Sequence, residues 1–527
     1  LSTTPTHSQT QNDTLVAYRH FKKADSLLFN MQLDSAIVYF KKALPIYQDN
    51  KNWERVAGCY NKIAESQWEN YSYYNKFNEE KSLNESLKNA EKALAICEKF
   101  LDRNTREEAN AYENIGKYYL TSEDSTILIH QGQEDKNKTD IALQFYQKAL
   151  IIQKKILPKN HLGIANIFHK IGYVNLRLKN YNEAINYYEK SLSIKVQKLG
   201  YNNLEIANIY FSFAILYKRK QNYNLAIQYL YKSSSIHSKQ TSPNSIKIAR
   251  IYNILGYCYN KIGEYNRAIF YYKKCSSIMI TLYGNKYPDL NNVLNSIGIC
   301  YKNKGEYNKA IFYYTKALIS IDQDPIFFVD SAKIYNNIGV VCKYQGAYDK
   351  ALQYLKKALY SNNIIKGKIN EKSALNYNNI GVIYKLKEDF EQAIFYLKKA
   401  LDLRLQLLDR YHEDISYSYN DLGEVYASQG DLSKALECFQ KGLNIRIAVF
   451  GNSHPDIADS YDNFGDIYFD KKDFSDALNY CQKALTIRSA IFSTHHPKVA
   501  QSYNTIAKVH VAINDYTKSL QYYNKAI

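Results

Sequence analysis

One small residue returns through the chain at a fixed interval. Gly172, Ala214, Gly256, Gly298, Gly339, Gly381, Gly423, Gly465 and Ala507 stand 42 residues apart, with a single step of 41. A strict period of this length marks a repeat architecture, and it constrains the fold more than composition does. Ala24, Ala64 and Gly116 continue the series upstream at uneven steps, because segments at 68–85 and 121–139 are inserted. The chain of 527 residues therefore reads as twelve repeats.

Each small residue sits in a helical phrase: Tyr252, Leu255, Gly256 and Tyr259 return as Tyr377, Ile380, Gly381 and Tyr384, then as Tyr419, Leu422, Gly423 and Tyr426. A second phrase follows, such as Ala310, Tyr314 and Ala317, or Ala393, Leu397 and Ala400. Intervals of three and four put these residues on one helix face, and their small members let two helices approach closely. The unit is thus a helical hairpin. Gly263, Gly305, Gly346 and Gly430, seven residues after the small residue, are placed to stop the first helix with a left-handed cap. Pro158, Pro243, Pro288, Pro325, Pro455 and Pro497 lie between units, where they block continuation of the second helix. With only 20 Gly and 8 Pro, the composition also favours helices over the turn-rich β folds.

The spacing aromatic-x2-Leu/Ile-Gly-x2-Tyr followed by Ala-x3-aromatic-x2-Ala resembles the tetratricopeptide repeat, with Tyr in place of the usual Trp. That substitution accounts for much of the 52 Tyr. The long unit and its connectors, Gly451-Asn-Ser-His454-Pro455 and His495-His496-Pro497, are similar to the repeats of kinesin light chains and of bacterial multidomain regulators, including those that precede a caspase-like CHAT peptidase. The resemblance implies an all-α fold, a right-handed solenoid of about twelve hairpins whose first helices line a concave groove. The expected organisation is a polar flexible tail at 1–14, repeats 1–3 with two turn insertions across 15–160, and regular repeats 4–12 across 161–527, the last cut short. The uncapped solenoid end is expected to be covered, by a further domain or by another molecule.

The resemblance also assigns positions 2, 5, 9, 12 and 13 of the first helix to the groove. Position 5 is Asn61, Asn253, Asn295, Asn336, Asn378, Asn420, Asp462 and Asn504. Asn is a mediocre helix former, so its recurrence needs a reason beyond propensity. An amide both donates and accepts, and the resemblance implies a ladder that clamps an extended partner peptide. Position 12 supplies Lys218, Lys302, Lys343 and Lys385, and position 13 supplies Arg177, Arg219 and Lys261, a basic stripe suited to an acidic segment. The competing reading is that these cations complement the helix dipole in the last turn. Farther on the same face turns acidic at Asp421, Glu424, Asp459, Asp462, Asp466 and Asp470.

The net charge of +18 is not evenly spread: residues 161–400 hold 34 basic and 14 acidic side chains, and the rest hold 35 and 37. Eight scattered cysteines and eleven histidines show no metal-ligand spacing, and no phosphate-loop, dinucleotide-binding or nucleophile-elbow motif occurs. These observations argue against an enzyme and against any cofactor. The reading is a scaffold that binds a protein or peptide, as the recognition arm of a regulator, with no membrane partner and a cytoplasmic setting. Two alternatives stand beside it: a structural solenoid assembling head to tail into filaments or another homo-oligomer, and nucleic-acid binding through the basic block.

Overall fold

The computed structural model describes residues 7–74, 80–121, 136–242, 245–285, 289–321, 328–366, 370–492 and 496–527. These form twenty-four α-helices, and no strand occurs among the described residues. The chain divides into two compact units, Leu1–Ile262 and Gly263–Ile527. Within each, consecutive helices pair into hairpins that stack on their neighbours, as expected of an all-α solenoid. In the first unit, for example, helices Leu162–Arg177 and Tyr181–Leu199 make one hairpin and Leu204–Arg219 and Tyr223–Gln240 the next.

The hairpin turns of the regular repeats share one backbone conformation among the described residues. Seven residues after the small residue the chain enters the left-handed region, at Gly430 with φ 88°. The same place holds Lys179, Gln221, Glu388, Lys472 and Asn514 in other repeats, all with φ near 60°. Glycine is therefore favoured there and not required. The connectors between repeats have a second device. His161, His412, His454 and His496 are N-caps, each Nδ1 accepting the backbone N–H two residues on, at 3.0–3.2 Å. The rings of His454 and His496 stack on Phe450 and Phe492 with centroids 4.1 Å apart. Pro455 and Pro497 follow at the first helical position, where a missing N–H costs nothing.

The core runs along the hairpins. The small residue of the first helix faces the large residue of the second so closely that a Cβ on Gly423 would stand 2.6 Å from Phe439, and one on Gly172 2.6 Å from Tyr188. Serines on second helices donate to carbonyls of first helices, as Ser191 Oγ does to Ala165 O at 2.7 Å. Seven cysteines are buried and Cys438 is half-buried. Burial pushes the thiols of Cys59, Cys97 and Cys300 up to about 12, so they are protonated packing groups.

Two expectations change. Residues 7–14 are not a flexible tail: they open helix His7–Phe29, and Asn50 Nδ2 donates to Thr14 Oγ1 at 3.2 Å. The first insertion largely lengthens two helices, Trp53–Tyr74 and Glu80–Phe100, with 75–79 outside the described residues. Most of the second insertion, 122–135, also lies outside them, as do residues 1–6, Pro243, Pro288, Pro325 and His495.

Candidate functional site

In the first unit, the first-helix faces of repeats 1–4 enclose a cavity of about 720 Å³. Its wall includes Asp25, Asn61, Glu65, Asn110, Glu113, Lys117, Asn166 and His169, all at positions 2, 5 or 9 of their repeats. The resemblance assigned those positions to the groove, and the cavity runs along them. Second-helix residues close the wall between repeats, Gln153 and Lys195 among them.

The cavity is polar, and much of its charge is paired. Lys62 Nζ lies 2.9 Å from Glu65 and 3.9 Å from Asp25, Lys170 bonds closely to Glu113, and Lys195 lies 2.6 Å from Glu205. Asn61 is buried, its Nδ2 donating to the carbonyl and the carboxylate of Glu107, both at 2.8 Å. His169 bonds to Ser212 at 2.8 Å, and burial pushes its imidazole down to about 4, reinforced by Lys195. It is therefore neutral near pH 7. Among the described residues no group of three or more His, Cys, Asp or Glu is placed to hold a metal ion.

In the second unit the position-5 amides are engaged inside the stack. Asn337 Nδ2 donates to Asn295 Oδ1 at 2.8 Å, Asn379 to Asn336 at 2.8 Å and Asn463 to Asn420 at 2.6 Å. Each donor belongs to the position after 5 in the following repeat. Asn378 closes the same rung by donating to Asp421 Oδ2 at 2.7 Å, while its own oxygen accepts from Arg404 Nη1 at 3.2 Å. The row is therefore not an exposed one. Asn295 and Asn378 are buried, Asn336 and Asn420 half-buried, and in Asn378 and Asn420 both ends of the amide are bonded within the chain. Asn253 is half-buried and Asn504 exposed. The doublet Asn336-Asn337 carried the signal: one Asn accepts from the next repeat while the other donates to the previous one.

The basic stripe is shorter than expected. Lys385 Nζ pairs with Glu424 at 2.5 Å, Arg177 is buried, and Arg219 Nη1 donates to Leu176 O at 3.4 Å. Lys218 remains in the first unit, its ammonium 4.8 Å from the Tyr257 ring and pushed down by burial. In the second unit Lys302 and Lys343 stand together without a carboxylate partner among the described residues. Burial, then the charge of Lys343, pushes the Lys302 ammonium down. The acidic face is likewise partly neutralised: Arg488 binds Asp459 and Asp462 at 2.5 and 2.6 Å. Burial, then Asp462 and Asp470, raises Asp466 to about 6.

A feature of the second helices was not foreseen. Every repeat places an exposed lysine, from Lys42 to Lys525, six residues after the first small residue of that helix, and each sits over an aromatic ring at 4.2–6.0 Å. Lys357 covers Tyr335 on the first helix and Tyr354 on the second, bridging the hairpin. The first members of the Tyr pairs belong to this lattice: Tyr313 stacks on Tyr301 at 5.4 Å. The signal was present as a lysine at the repeat period.

No described helix is long and apolar enough to cross a membrane. A family model described as tetratricopeptide repeat matches residues 134–197, 205–281, 247–318, 330–406, 372–448, 414–480 and 456–527. No curated protein matches the chain. Among solved structures, BtubC from P. vanneervenii is 24% identical, with a TM-score of 0.38, and the match covers 43% of this chain and 91% of that one. Aspartyl phosphate phosphatase F from Bacillus subtilis is 16% identical, with a TM-score of 0.44 and coverage of 74% and 95%. Apo RapI is 17% identical, with a TM-score of 0.42 and coverage of 53% and 96%. With the family model spanning more than half of the chain and its hairpins present in the fold, this chain belongs to the tetratricopeptide repeat family.

Proposed function

We propose that the chain is a non-enzymatic scaffold that holds a segment of a partner protein against its first-helix face. The observation that carries this reading is the cavity of about 720 Å³ on the groove positions of successive repeats in the first unit. That volume lies in the range of about 300–1,000 Å³ typical of ligand sites. Its amides, carboxylates and ammonium groups suit a polar segment of mixed charge. In the second unit Lys302 and Lys343 supply an anion contact, so an acidic stretch of the partner fits there.

The test is selection of random dodecapeptides against the full chain, followed by titration calorimetry of the selected peptides. Asn110→Ala and Asn166→Ala should weaken groove-bound peptides at least tenfold, about 1.4 kcal/mol. Lys190→Ala, on a second helix, should leave them unchanged. Peptides that bind both groove variants as tightly as the parent would overturn the reading. For peptides rich in Asp and Glu, Lys302→Glu with Lys343→Glu should abolish binding, and undiminished binding would remove the basic pair from the site.

A further inference from the structure

Lys117 stands apart from the other lysines of the first-unit cavity. Lys62 has Glu65, Lys170 has Glu113 and Lys195 has Glu205. The Lys117 ammonium has no carboxylate within ion-pair distance and no hydrogen bond among the described residues. Its ammonium instead lies 4.8 Å from the ring of Trp68, which is held by a bond from Nε1 to Thr121 Oγ1 at 2.8 Å. Two acceptors on the same cavity wall also lack donors: Asn61 Oδ1 and Gln153 Oε1, both buried. Their orientations are fixed by the other end of each amide. Asn61 Nδ2 is committed to Glu107, and Gln153 Nε2 donates to Glu113 at 2.8 Å, so neither side chain can turn to present its nitrogen. The cavity thus holds one unpaired amine and two buried oxygens that need a donor from outside the chain.

We propose that Lys117 is a covalent ligand site, an ε-amine that condenses with the carbonyl of a small hydroxy-aldehyde seated in the groove. The Nζ lone pair attacks the carbonyl carbon and the C–O π pair moves to oxygen. The carbinolamine then loses that oxygen with the two amine protons as water, leaving a C=N bond, so no oxidant or reductant is consumed. The hydroxyl groups of the ligand donate to Asn61 Oδ1 and Gln153 Oε1. The groups facing Lys117 are Glu65 and Glu69 from helix Trp53–Tyr74, Glu113 from its own helix Arg106–Thr121, and Lys170 from Leu162–Arg177. Burial, then the charge of Lys170, pushes the Lys117 ammonium down, which raises the fraction of nucleophilic amine near neutral pH. The cavity is the one assigned above to the partner segment, and the labelling test reads Lys117 with no partner present, so its failure is separate from failure of peptide binding.

The experiment incubates the full chain with glyceraldehyde and sodium cyanoborohydride at pH 7 and maps modified lysines by mass spectrometry. Lys117 should be labelled at least tenfold faster than the exposed Lys190 and Lys441, and labelling no faster than theirs overturns the proposal. Lys170→Met releases Glu113 to pair with Lys117, so labelling of Lys117 should fall severalfold while Lys190 and Lys441 keep their rates; an unchanged Lys117 rate also overturns it. Propanal, which has no hydroxyl donor, should label Lys117 more slowly than glyceraldehyde, and equal rates would remove Asn61 and Gln153 from the site.

Discussion

Arg446 Nη1 donates to Ser460 Oγ at 2.6 Å and to the carbonyl of Asp456 at 3.0 Å, across the joint between two successive hairpins. The arrangement repeats with the period of the chain, as Arg404 to Ser418 at 2.5 Å and Arg488 to Ser502 at 2.7 Å. Each arginine is buried at the end of a second helix and reaches the first helix of the next repeat. Stacking of repeats is thereby fixed by directional bonds as well as by apolar contact. Arg446→Ala should lower stability by about 2–4 kcal/mol, since it opens a cavity and strips donors from a buried hydroxyl and carbonyl. Urea unfolding followed by circular dichroism would show it, and a loss below about 0.5 kcal/mol would deny the joint its role.

Gly423 faces Phe439 too closely to admit a side chain, with a built Cβ only 2.6 Å from the ring. Gly423→Ala should cost about 1–3 kcal/mol by overpacking. Adding Phe439→Leu should recover part of that, because repeat 5 pairs Ala214 with Leu230 at the same two positions. A double-mutant cycle in thermal unfolding checks the coupling, and purely additive losses would count against it.

Glu388 occupies the left-handed turn residue of its hairpin at φ 62°, where Gly430 serves in the next repeat. A side chain in that region costs about 1–2 kcal/mol, partly offset by the larger unfolded-state freedom of glycine. Glu388→Gly should therefore stabilise the chain by about 0.5–1 kcal/mol in urea unfolding, against the usual effect of glycine near a helix.

His169 is pushed from 6.5 down to about 4 in the fold, by burial first and then by Lys195. The unfolded chain binds the proton more readily, so stability is present above pH 6.5 and is lost as the pH falls from 6.5 towards 4. His169→Gln should flatten the slope of stability against pH in that window while leaving pH 8 little changed. Equal slopes for the two proteins would show that His169 does not report there.

Periodicity determined the hairpin as the repeating unit, and the residues of the two phrases determined its family, because a small residue recurring opposite a large one lets two helices pack closely. It also marked the left-handed turns, although Lys179 and Glu388 adopt the glycine conformation without the glycine. The use of each polar side chain was decided by the tertiary structure. Asn378 and Lys385 look like ligand contacts in a row of letters, but Asp421 and Glu424 of the following repeat take them. The reason is physical: a hydrogen bond or ion pair depends on which acceptor lies within about 3 Å, and residues some forty apart in sequence meet only after the repeats stack. By the same rule Lys117 became distinctive only in the fold, where Lys62 pairs with Glu65 and Lys170 with Glu113 while its own ammonium lies over the Trp68 ring.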